Sequence, residues 1–459
     1  MAGIGFVLRR LTRQDDLTGV VVGYVYAALV SSGPFLVTVI AMAAVGLLGD
    51  AAGEQPAVAT FRLVTIYNFA LSLVCCGPFL LVMTRYLADR IYEHKVEEAP
   101  GMLIGATAVT LGLQLPLVVW LYFIHADMTL PERLAASVHY FLICGIWLVS
   151  VFLSALKDYR AIGYSFAGGM ALGFAAAHLL LPDFGAAGLI GGSAIGLAAI
   201  FFALTLRVMV EYPYGILRPF AFLRYFPRVW QLAVFGFAYN LTIWCDKLVL
   251  WLAPEAETAA IGLVSNPAYD SAMFLANLTT VPVLAVFIIA IETEFFERYQ
   301  TFYRAIEQHA TYREIRANQA AIARTLATAG RSILLLQCIV AALAILASPA
   351  LFAALGIDAR QLGIFRLGTL GSLFQILFVF LTIVLAYFDL RMRLVQVTLL
   401  YLGLNAGLSW ASLAWGFAWY GYGFFLASLL AFLAALAVVI REVGRLPFLT
   451  FVKNNASIR

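Results

Sequence analysis

Long apolar runs dominate this sequence, and they leave few folds open to it. A membrane-spanning helix needs about 20 mostly apolar residues in a row, and twelve runs of roughly that length are present. Hydrophobic residues make up 63% of the chain and charged residues only 12%, whereas soluble domains carry about 25% charged residues. The sequence therefore predicts an all-α polytopic membrane protein. The predicted spans are 20–48, 62–84, 101–124, 134–156, 163–181, 187–210, 229–252, 270–291, 332–355, 364–388, 394–414 and 421–440.

The positions of Lys and Arg predict how the spans are oriented, because cytoplasmic loops of membrane proteins carry an excess of these residues. With the N-terminus inside, cytoplasmic segments hold 24 of the 29 Lys and Arg residues, and outer loops hold only Arg133 and Arg360. The other three, Arg62, Lys247 and Arg366, lie within predicted spans. Both termini are therefore predicted to be cytoplasmic. The net charge of +4 reflects orientation in a lipid bilayer, and binding to nucleic acid is not expected.

The longest polar interruption between predicted spans, 211–228, divides them into six and six. We predict an N-terminal six-helix bundle over 1–210, a cytoplasmic inter-bundle linker over 211–228 and a C-terminal six-helix bundle over 229–459. Internal duplication of this kind is common in transporters, which hold substrate between two halves.

Motifs of the common catalytic sites are absent from the sequence. No GxxxxGK[ST] phosphate-binding loop is present, and the isolated histidines do not form an HExxH ligand pair. The string GGSAIG has Ile195 where a GxSxG nucleophile elbow needs its last glycine. We predict that the chain is not an enzyme and that it uses no cofactor and no metal.

The seventh predicted span contains the densest set of polar and aromatic residues, in the string YNLTIWCDKLVLW. At about 100° per residue, Asn240, Trp244 and Lys247 share one face, and Tyr239 and Asp246 share another. A charged side chain in the middle of a span costs about 2.5–3.5 kcal/mol and normally faces a bundle interior or water. We predict that these residues line a substrate path. The alternative is a structural Asp–Lys pair satisfied by neighbouring helices.

Two further spans contribute weaker polar faces. Asn68 lies on a polar stripe of the second span, and Asp270 and Asn277 lie on one face of the eighth. We add these three residues to the predicted substrate path. Arg62 and Arg366 are interpreted as side chains that extend to the outer membrane surface.

Gly-Pro pairs interrupt the first two spans, in the strings SSGPFL and CCGPFL. Proline has no backbone N–H to donate, and in lipid every freed backbone group needs a partner from protein or water. We predict helix kinks at Gly33, Pro34, Gly77 and Pro78, next to a cavity. The alternative is that glycine and proline are simply more frequent in membrane helices.

One large polar segment, 292–331, follows the eighth span and is predicted to be cytoplasmic and amphipathic. Phe295, Tyr299, Phe302 and Ile306 line one helical face of it. This face is a candidate dock for a cytoplasmic partner protein. The alternative is a juxtamembrane helix that rests on the bilayer.

Six strings spread over both halves of the chain point to one family. They are MAGIGF with the following Leu8-Arg9-Arg10, SGPF, RYLADRIY, YNLTIWCDKLVLW, YDSAMFLANLTTVP and ETEFFERY. Together and in this order they resemble the PelG family, the inner-membrane transporters of the Pel exopolysaccharide. That family belongs to the multidrug/oligosaccharidyl-lipid/polysaccharide exporter (MOP) superfamily. Family members often have a carboxylate after MAGIGF, where this chain has Val7.

The resemblance implies twelve helices in two bundles around a central cavity, in the bacterial cytoplasmic membrane. It implies outward movement of Pel, a partly deacetylated polysaccharide rich in N-acetylgalactosamine, and hence a role in exopolysaccharide biosynthesis and biofilms. The implied partners are a cytosolic Pel glycosyltransferase and other inner-membrane subunits of the Pel synthase.

Two other functions stay open at the level of sequence. The chain could be a membrane scaffold that recruits the glycosyltransferase through 292–331, or an exporter of lipid-linked oligosaccharides or drugs from the same superfamily. A proton or ion gradient acting through Asp246 and the push of a growing polymer would each fit as the driving force.

Overall fold

The computed structural model describes residues 17–156 and 159–453, and nearly all of this part of the chain is helical. Short 3-10 or π-helical turns extend or connect several helices, and one two-stranded antiparallel hairpin pairs β1 (Glu257–Thr258) with β2 (Val264–Ser265). The helices are α1 (Leu17–Ala51), α2 (Gln55–Tyr92), α3 (Ala99–Val119), α4 (Leu130–Leu156), α5 (Tyr159–Glu211), α6 (Trp230–Leu250), α7 (Pro267–Leu278), α8 (Val281–Ile289), α9 (Phe296–Glu307), α10 (Tyr312–Leu355), α11 (Leu362–Tyr387), α12 (Arg391–Trp415), α13 (Tyr422–Val443) and α14 (Leu446–Phe448).

The prediction of a helical, polytopic membrane protein is confirmed. Within the described residues, ten helices are long and apolar enough to cross a membrane, and a bent pair of helices raises this number to as many as eleven. The bent pair covers the predicted eighth span, and its two parts meet at an angle of 40°.

Helix α5 contains the predicted fifth and sixth spans, and it folds back on itself between them. Gly185 has a left-handed φ of 53° with ψ of −124°, outside the helical region, and Pro182 lies one turn before it. A Cβ atom added at Gly196 would lie 2.5 Å from the Gly169 carbonyl oxygen, and one at Gly192 would collide with the backbone of Ala177. The two arms of α5 therefore pack antiparallel with their backbones in contact, as small residues allow in membrane helices.

The chain divides into two compact units. One, here the N-terminal unit, comprises Gly33–Trp244 and Trp251–Asn266. The other, here the C-terminal unit, comprises Cys245–Leu250 and the chain from Pro267 onward, together with the start of α1 up to Ser32. The predicted linker 211–228 falls inside the N-terminal unit, and the predicted division into two six-helix bundles at this linker stays a prediction.

Close backbone contacts hold the predicted linker within the N-terminal unit. Gly101 and Gly105 of α3 lie against the backbone carbonyls of Leu217 and Pro219, and a Cβ atom at either glycine would overlap these oxygens. The Arg218 guanidinium also donates to the buried Glu98 carboxylate at 3.2 Å. The segment is thus part of the folded unit.

The segment 292–331 forms two separate helical elements instead of one. A π-helical turn over Ala290–Phe295 leads into α9, and α10 begins at Tyr312 and continues into the predicted ninth span. Thr311 and Glu314 form a reciprocal capping box at the start of α10, which satisfies two backbone N–H groups that a helix start otherwise leaves unpaired. The segment thus comprises a π-helical turn, the short helix α9 and the start of α10.

Candidate functional site

The strongest candidate site lies where α6 ends, within the C-terminal unit. The Asp246 side chain is fully buried, and its carboxylate accepts a hydrogen bond from the Tyr269 hydroxyl at 2.9 Å. The Lys247 ammonium lies 3.3 Å from the same carboxylate and is 8% exposed. Tyr269, which is itself buried, comes from the first turn of α7. The sequence prediction identified the Asp–Lys pair, and the structure adds a tyrosine partner.

The position of this pair in the helix differs from the predicted one. Helix α6 ends at Leu250, so Asp246 lies only about 6 Å along the axis from its end and not in its middle. Burial of two charges in this way is costly, and their mutual attraction offsets the cost only when the geometry and further hydrogen bonds are good. The hydroxyl of Tyr269 supplies one such bond.

The other predicted residues of α6 belong to the N-terminal unit. The Asn240 side-chain amide is buried and donates to the backbone carbonyl of Leu73 at 3.2 Å. Tyr239 and Trp244 are half-buried, and the Tyr239 ring lies 5.8 Å from that of Phe235. The predicted stripe on α6 is therefore divided between the two units, with Asp246 and Lys247 in the C-terminal one.

The four predicted kink residues lie within helices α1 and α2, each of which runs as one helix through its proline. Gly33 has open space where a Cβ atom would lie, whereas a Cβ atom at Gly77 would lie 2.5 Å from the Gly236 carbonyl oxygen. Gly77 thus lies where α2 crosses α6 with the two backbones in contact. Kinks at Pro34 and Pro78 next to a cavity stay a prediction.

Asn68 lies at the centre of a buried polar network in the N-terminal unit, which the sequence did not predict. Its amide N–H2 group donates to the Ala136 carbonyl at 3.1 Å and to the His139 Nδ1 atom at 3.0 Å. Its amide oxygen accepts from the Tyr122 hydroxyl. On its other side, His139 Nε2 lies 3.2 Å from the Ser193 hydroxyl. All hydrogen-bonding groups of the Asn68 side chain are thus used within the protein.

The network fixes the protonation pattern of His139. Since the Ala136 carbonyl can only accept, the nitrogen of the Asn68 amide must face it, and the same N–H2 group then faces Nδ1 of His139. Nδ1 is therefore the acceptor, and the proton of the neutral imidazole lies on Nε2 and is donated to Ser193. Contact between Asn68 and a substrate would require this network to open.

We expect Asn68→Leu to destabilise the protein by about 2 kcal/mol, because it leaves buried hydrogen-bonding groups of Tyr122 and His139 without partners. Thr65→Val is the matched control on the same helix, since the Thr65 hydroxyl has no hydrogen-bond partner among the described residues. Thermal unfolding in detergent micelles measures both effects. Equal unfolding temperatures for the two variants would show that the network contributes little to stability.

Asp270 and Asn277 lie on α7 and are half-buried. They are seven residues apart on one helical face, about 10 Å along the axis. The Asn277 side chain bonds to the Ser372 hydroxyl at 3.0 Å. Both residues and the Asp246 pair therefore belong to the C-terminal unit, and Asn277 lies next to the break between α7 and α8.

The predicted docking face of 292–331 is covered by the chain itself. Phe295 and Phe302 are fully buried, and the Phe295 ring contacts the rings of Tyr387 and Phe388 at 5.1 and 6.0 Å. Tyr299 joins the same aromatic cluster, and Ile306 is half-buried. A partner could use this face only after these contacts had opened.

Within the described residues, no group of three or more His, Cys, Asp or Glu side chains lies close enough together to hold a metal ion.

Comparison with known proteins identifies the family. The PelG family model, described as "Putative exopolysaccharide Exporter (EPS-E)", matches residues 1–451. The chain belongs to the PelG family. A search of curated proteins finds no match to the chain.

Solved structures with a similar fold support this assignment at the level of fold. A MOP superfamily transporter from Pyrococcus furiosus is 13% identical with a TM-score of 0.64, over 92% of this chain and 96% of that one. A MATE transporter in the bent conformation is 14% identical with a TM-score of 0.62, over 96% and 98%. An outward-facing multidrug resistance MATE transporter is 14% identical with a TM-score of 0.60, again over 96% and 98%. The PelG chain thus has the fold of MOP superfamily transporters, and its family and similar structures are transporters, not enzymes.

Proposed function

We propose that this PelG protein exports a Pel-type polysaccharide, rich in N-acetylgalactosamine and galactosamine, across the bacterial cytoplasmic membrane. It would do so within a membrane synthase complex, together with a cytosolic glycosyltransferase and other inner-membrane subunits. Membership of an exopolysaccharide exporter family over residues 1–451 supports the substrate class. The Pel polymer and the synthase partners rest on the sequence resemblance.

The observation that carries the transport proposal is the buried Asp246 carboxylate with Lys247 and Tyr269. Intramembrane charges are costly and typically mark substrate or ion pathways. Apolar residues at these positions would avoid the free-energy cost of burying two charges. A role in stability alone therefore does not account for the pair. We infer that Asp246 takes part in the transport cycle, through ion coupling or through contact with the polymer.

We further propose twelve spans with both termini in the cytoplasm. Ten helices are candidates, and α5 is one of them. Counting the two arms of α5 as separate spans gives eleven, and counting the bent pair as one more span gives the predicted twelve. The distribution of Lys and Arg supports the orientation. Cysteine labelling at positions 94 and 360, which the proposal assigns to opposite sides, would test it with a membrane-impermeant reagent.

Inverted membrane vesicles containing this chain and its glycosyltransferase test the proposal. The vesicles are given labelled UDP-N-acetylgalactosamine, and the measured quantity is the fraction of polymer protected from added glycosidase until detergent is added. Export predicts protection that depends on the chain. Polymer that is made but left unprotected, by a glycosyltransferase still bound to the membrane, would favour the scaffold function instead.

The alternative of a multidrug or lipid-linked oligosaccharide exporter draws on the fold shared with MATE transporters. A lipid-linked substrate carries a diphosphate, and the cationic residues at membrane depth would have to receive it. Lys247 already lies 3.3 Å from Asp246, Arg62 forms an ion pair with Asp50 at 2.9 Å, and Arg366 donates to Ser348 at 3.2 Å. These contacts favour a neutral or weakly cationic substrate.

A further inference from the structure

The backbone of the C-terminal unit is interrupted between α7 and α8, within a stretch apolar enough to span a membrane. Thr279 and Thr280 separate the two helices, and Pro282 follows. The Thr279 and Thr280 hydroxyls donate to the backbone carbonyls of Ala276 and Asn277 at 2.6 and 2.8 Å. A helix broken at membrane depth is tolerated only where protein or a watery cavity surrounds it. The backbone N–H groups of both threonines are bonded to the Ala276 and Asn277 carbonyls, so the break is a tightened turn, and its two hydroxyls are polar groups within an apolar stretch.

Gln337 of α10 brings a buried amide to this break. The residue is fully buried, and its side-chain nitrogen lies 3.5 Å from the Thr279 hydroxyl oxygen. Its amide oxygen is also buried and has no hydrogen-bond partner within the described part of the chain. A buried acceptor without a partner costs about 1–3 kcal/mol, so an uncompensated one calls for a specific explanation.

The hydrogen bonds of Thr279 fix the orientation of the Gln337 amide. The Thr279 hydroxyl proton is already donated to the Ala276 carbonyl, so the Thr279 oxygen can only accept from Gln337. The Gln337 N–H2 group must therefore face Thr279, and the amide oxygen points away from it. This oxygen is therefore an acceptor for which the described residues supply no donor.

We propose that Gln337 and Asn277 form a saccharide-binding subsite at the break, in which the Gln337 oxygen accepts a hydrogen bond from a hydroxyl or acetamido N–H group. Asn277 is half-buried, and its side-chain oxygen accepts from the Ser372 hydroxyl, so its amide offers the second polar group. The side chains at the break are amides and hydroxyls without formal charge, which suits a neutral sugar. This inference rests on the proposed export of a polysaccharide.

The subsite lies on the face of α7 that also carries Asp270, about 10 Å further along the helix axis. Asp270 adjoins Tyr269, the partner of Asp246. Polar groups thus follow α7 from the charged pair to the break. A polymer with repeated hydroxyl and acetamido groups matches such an extended row better than a compact ligand does.

Binding of an N-acetylgalactosamine oligosaccharide to the full chain in lipid nanodiscs, measured by titration calorimetry, tests the subsite. We expect Gln337→Leu to weaken binding about tenfold, the effect of losing one hydrogen bond of about 1.4 kcal/mol. Gln319→Leu is the matched control on the same helix, because its amide donates to the Val443 carbonyl at 2.8 Å. That control should lower thermal stability and leave the affinity unchanged.

The donor groups of the ligand provide a second measurement that does not depend on how a variant folds. A per-O-methylated, N-methylated oligosaccharide lacks donors and should bind the unchanged protein at least tenfold more weakly than the parent. Equal affinity of Gln337→Leu and the unchanged chain would overturn the subsite. Vesicle export without any oligosaccharide binding would also overturn it while leaving the export proposal standing. Absence of both binding and export would refute the two together.

Discussion

We expect polymer protection in the vesicle assay to fall to the level measured without the chain when Asp246 is replaced by alanine. The carboxylate is fully buried and bonded to Tyr269 and Lys247, so its removal takes away the negative charge of the candidate site. The same change removes the carboxylate that lies beside a buried ammonium, and breaking a buried ion pair in this way costs about 3–5 kcal/mol of stability. Loss of export alone would therefore not separate transport from folding.

The double variant Asp246→Asn with Lys247→Met separates these two causes. It removes both charges together, and replacing a whole buried ion pair by apolar side chains of similar volume is often neutral or stabilising. The asparagine keeps an oxygen that can accept the Tyr269 hydrogen bond. We expect the double variant to recover the thermal stability that Asp246→Ala loses and to remain inactive in export. A double variant that is stable and exports polymer at the normal rate would show that the pair is structural only.

Tyr269→Phe completes this series. It removes one hydrogen bond to the carboxylate and keeps both charges and the ring. Bonds to charged groups contribute about 1.5–3 kcal/mol, so a moderate loss of stability is expected, with export reduced but measurable. The assembly of the glycosyltransferase on the membrane should be unchanged in all three variants, because none of them alters a residue of the segment 292–331.

The helical architecture was predictable from sequence because lipid imposes a simple rule, a run of about 20 apolar residues for each span. The hairpin in α5 was also predictable, since PDFGAAG supplies both Pro182 and the left-handed Gly185. The division of the chain into its two compact units was harder to predict from the sequence. Residues 251–266 and 245–250 belong to different units, and this assignment depends on contacts between distant parts of the chain, which hydropathy does not encode.

Residues of the candidate site could be predicted only where a charged side chain lies within an apolar run. Asp246 and Lys247 were found because charges stand out in an apolar run, whereas Tyr269 and Gln337 look ordinary in their own helices. Their roles depend on which helices are neighbours. The amphipathic pattern of 292–331 placed Phe295 and Phe302 on one helical face, but it could not show that Tyr387 and Phe388 contact Phe295.

The two GPFL strings offer a matched comparison between identical local sequences. Gly77→Val should destabilise the N-terminal unit by about 3 kcal/mol, the upper part of the range for overpacking. A Cβ atom at Gly77 would lie 2.5 Å from the Gly236 carbonyl oxygen and 2.6 Å from the Asn240 amide nitrogen. The two helices would have to separate, and Asn240 would lose its bond to the Leu73 carbonyl.

Gly33→Val makes the same chemical change in the same Gly-Pro-Phe-Leu context, but no atom of the described residues lies within 4 Å of the added Cβ. Any cost of a β-branched residue before proline is therefore common to both variants, and the difference between their unfolding temperatures isolates the contact between α2 and α6. We expect Gly33→Val to unfold near the temperature of the unchanged protein and Gly77→Val several degrees lower. Equal unfolding temperatures would mean that the α2–α6 crossing tolerates separation and that the two GPFL strings do not differ in sensitivity.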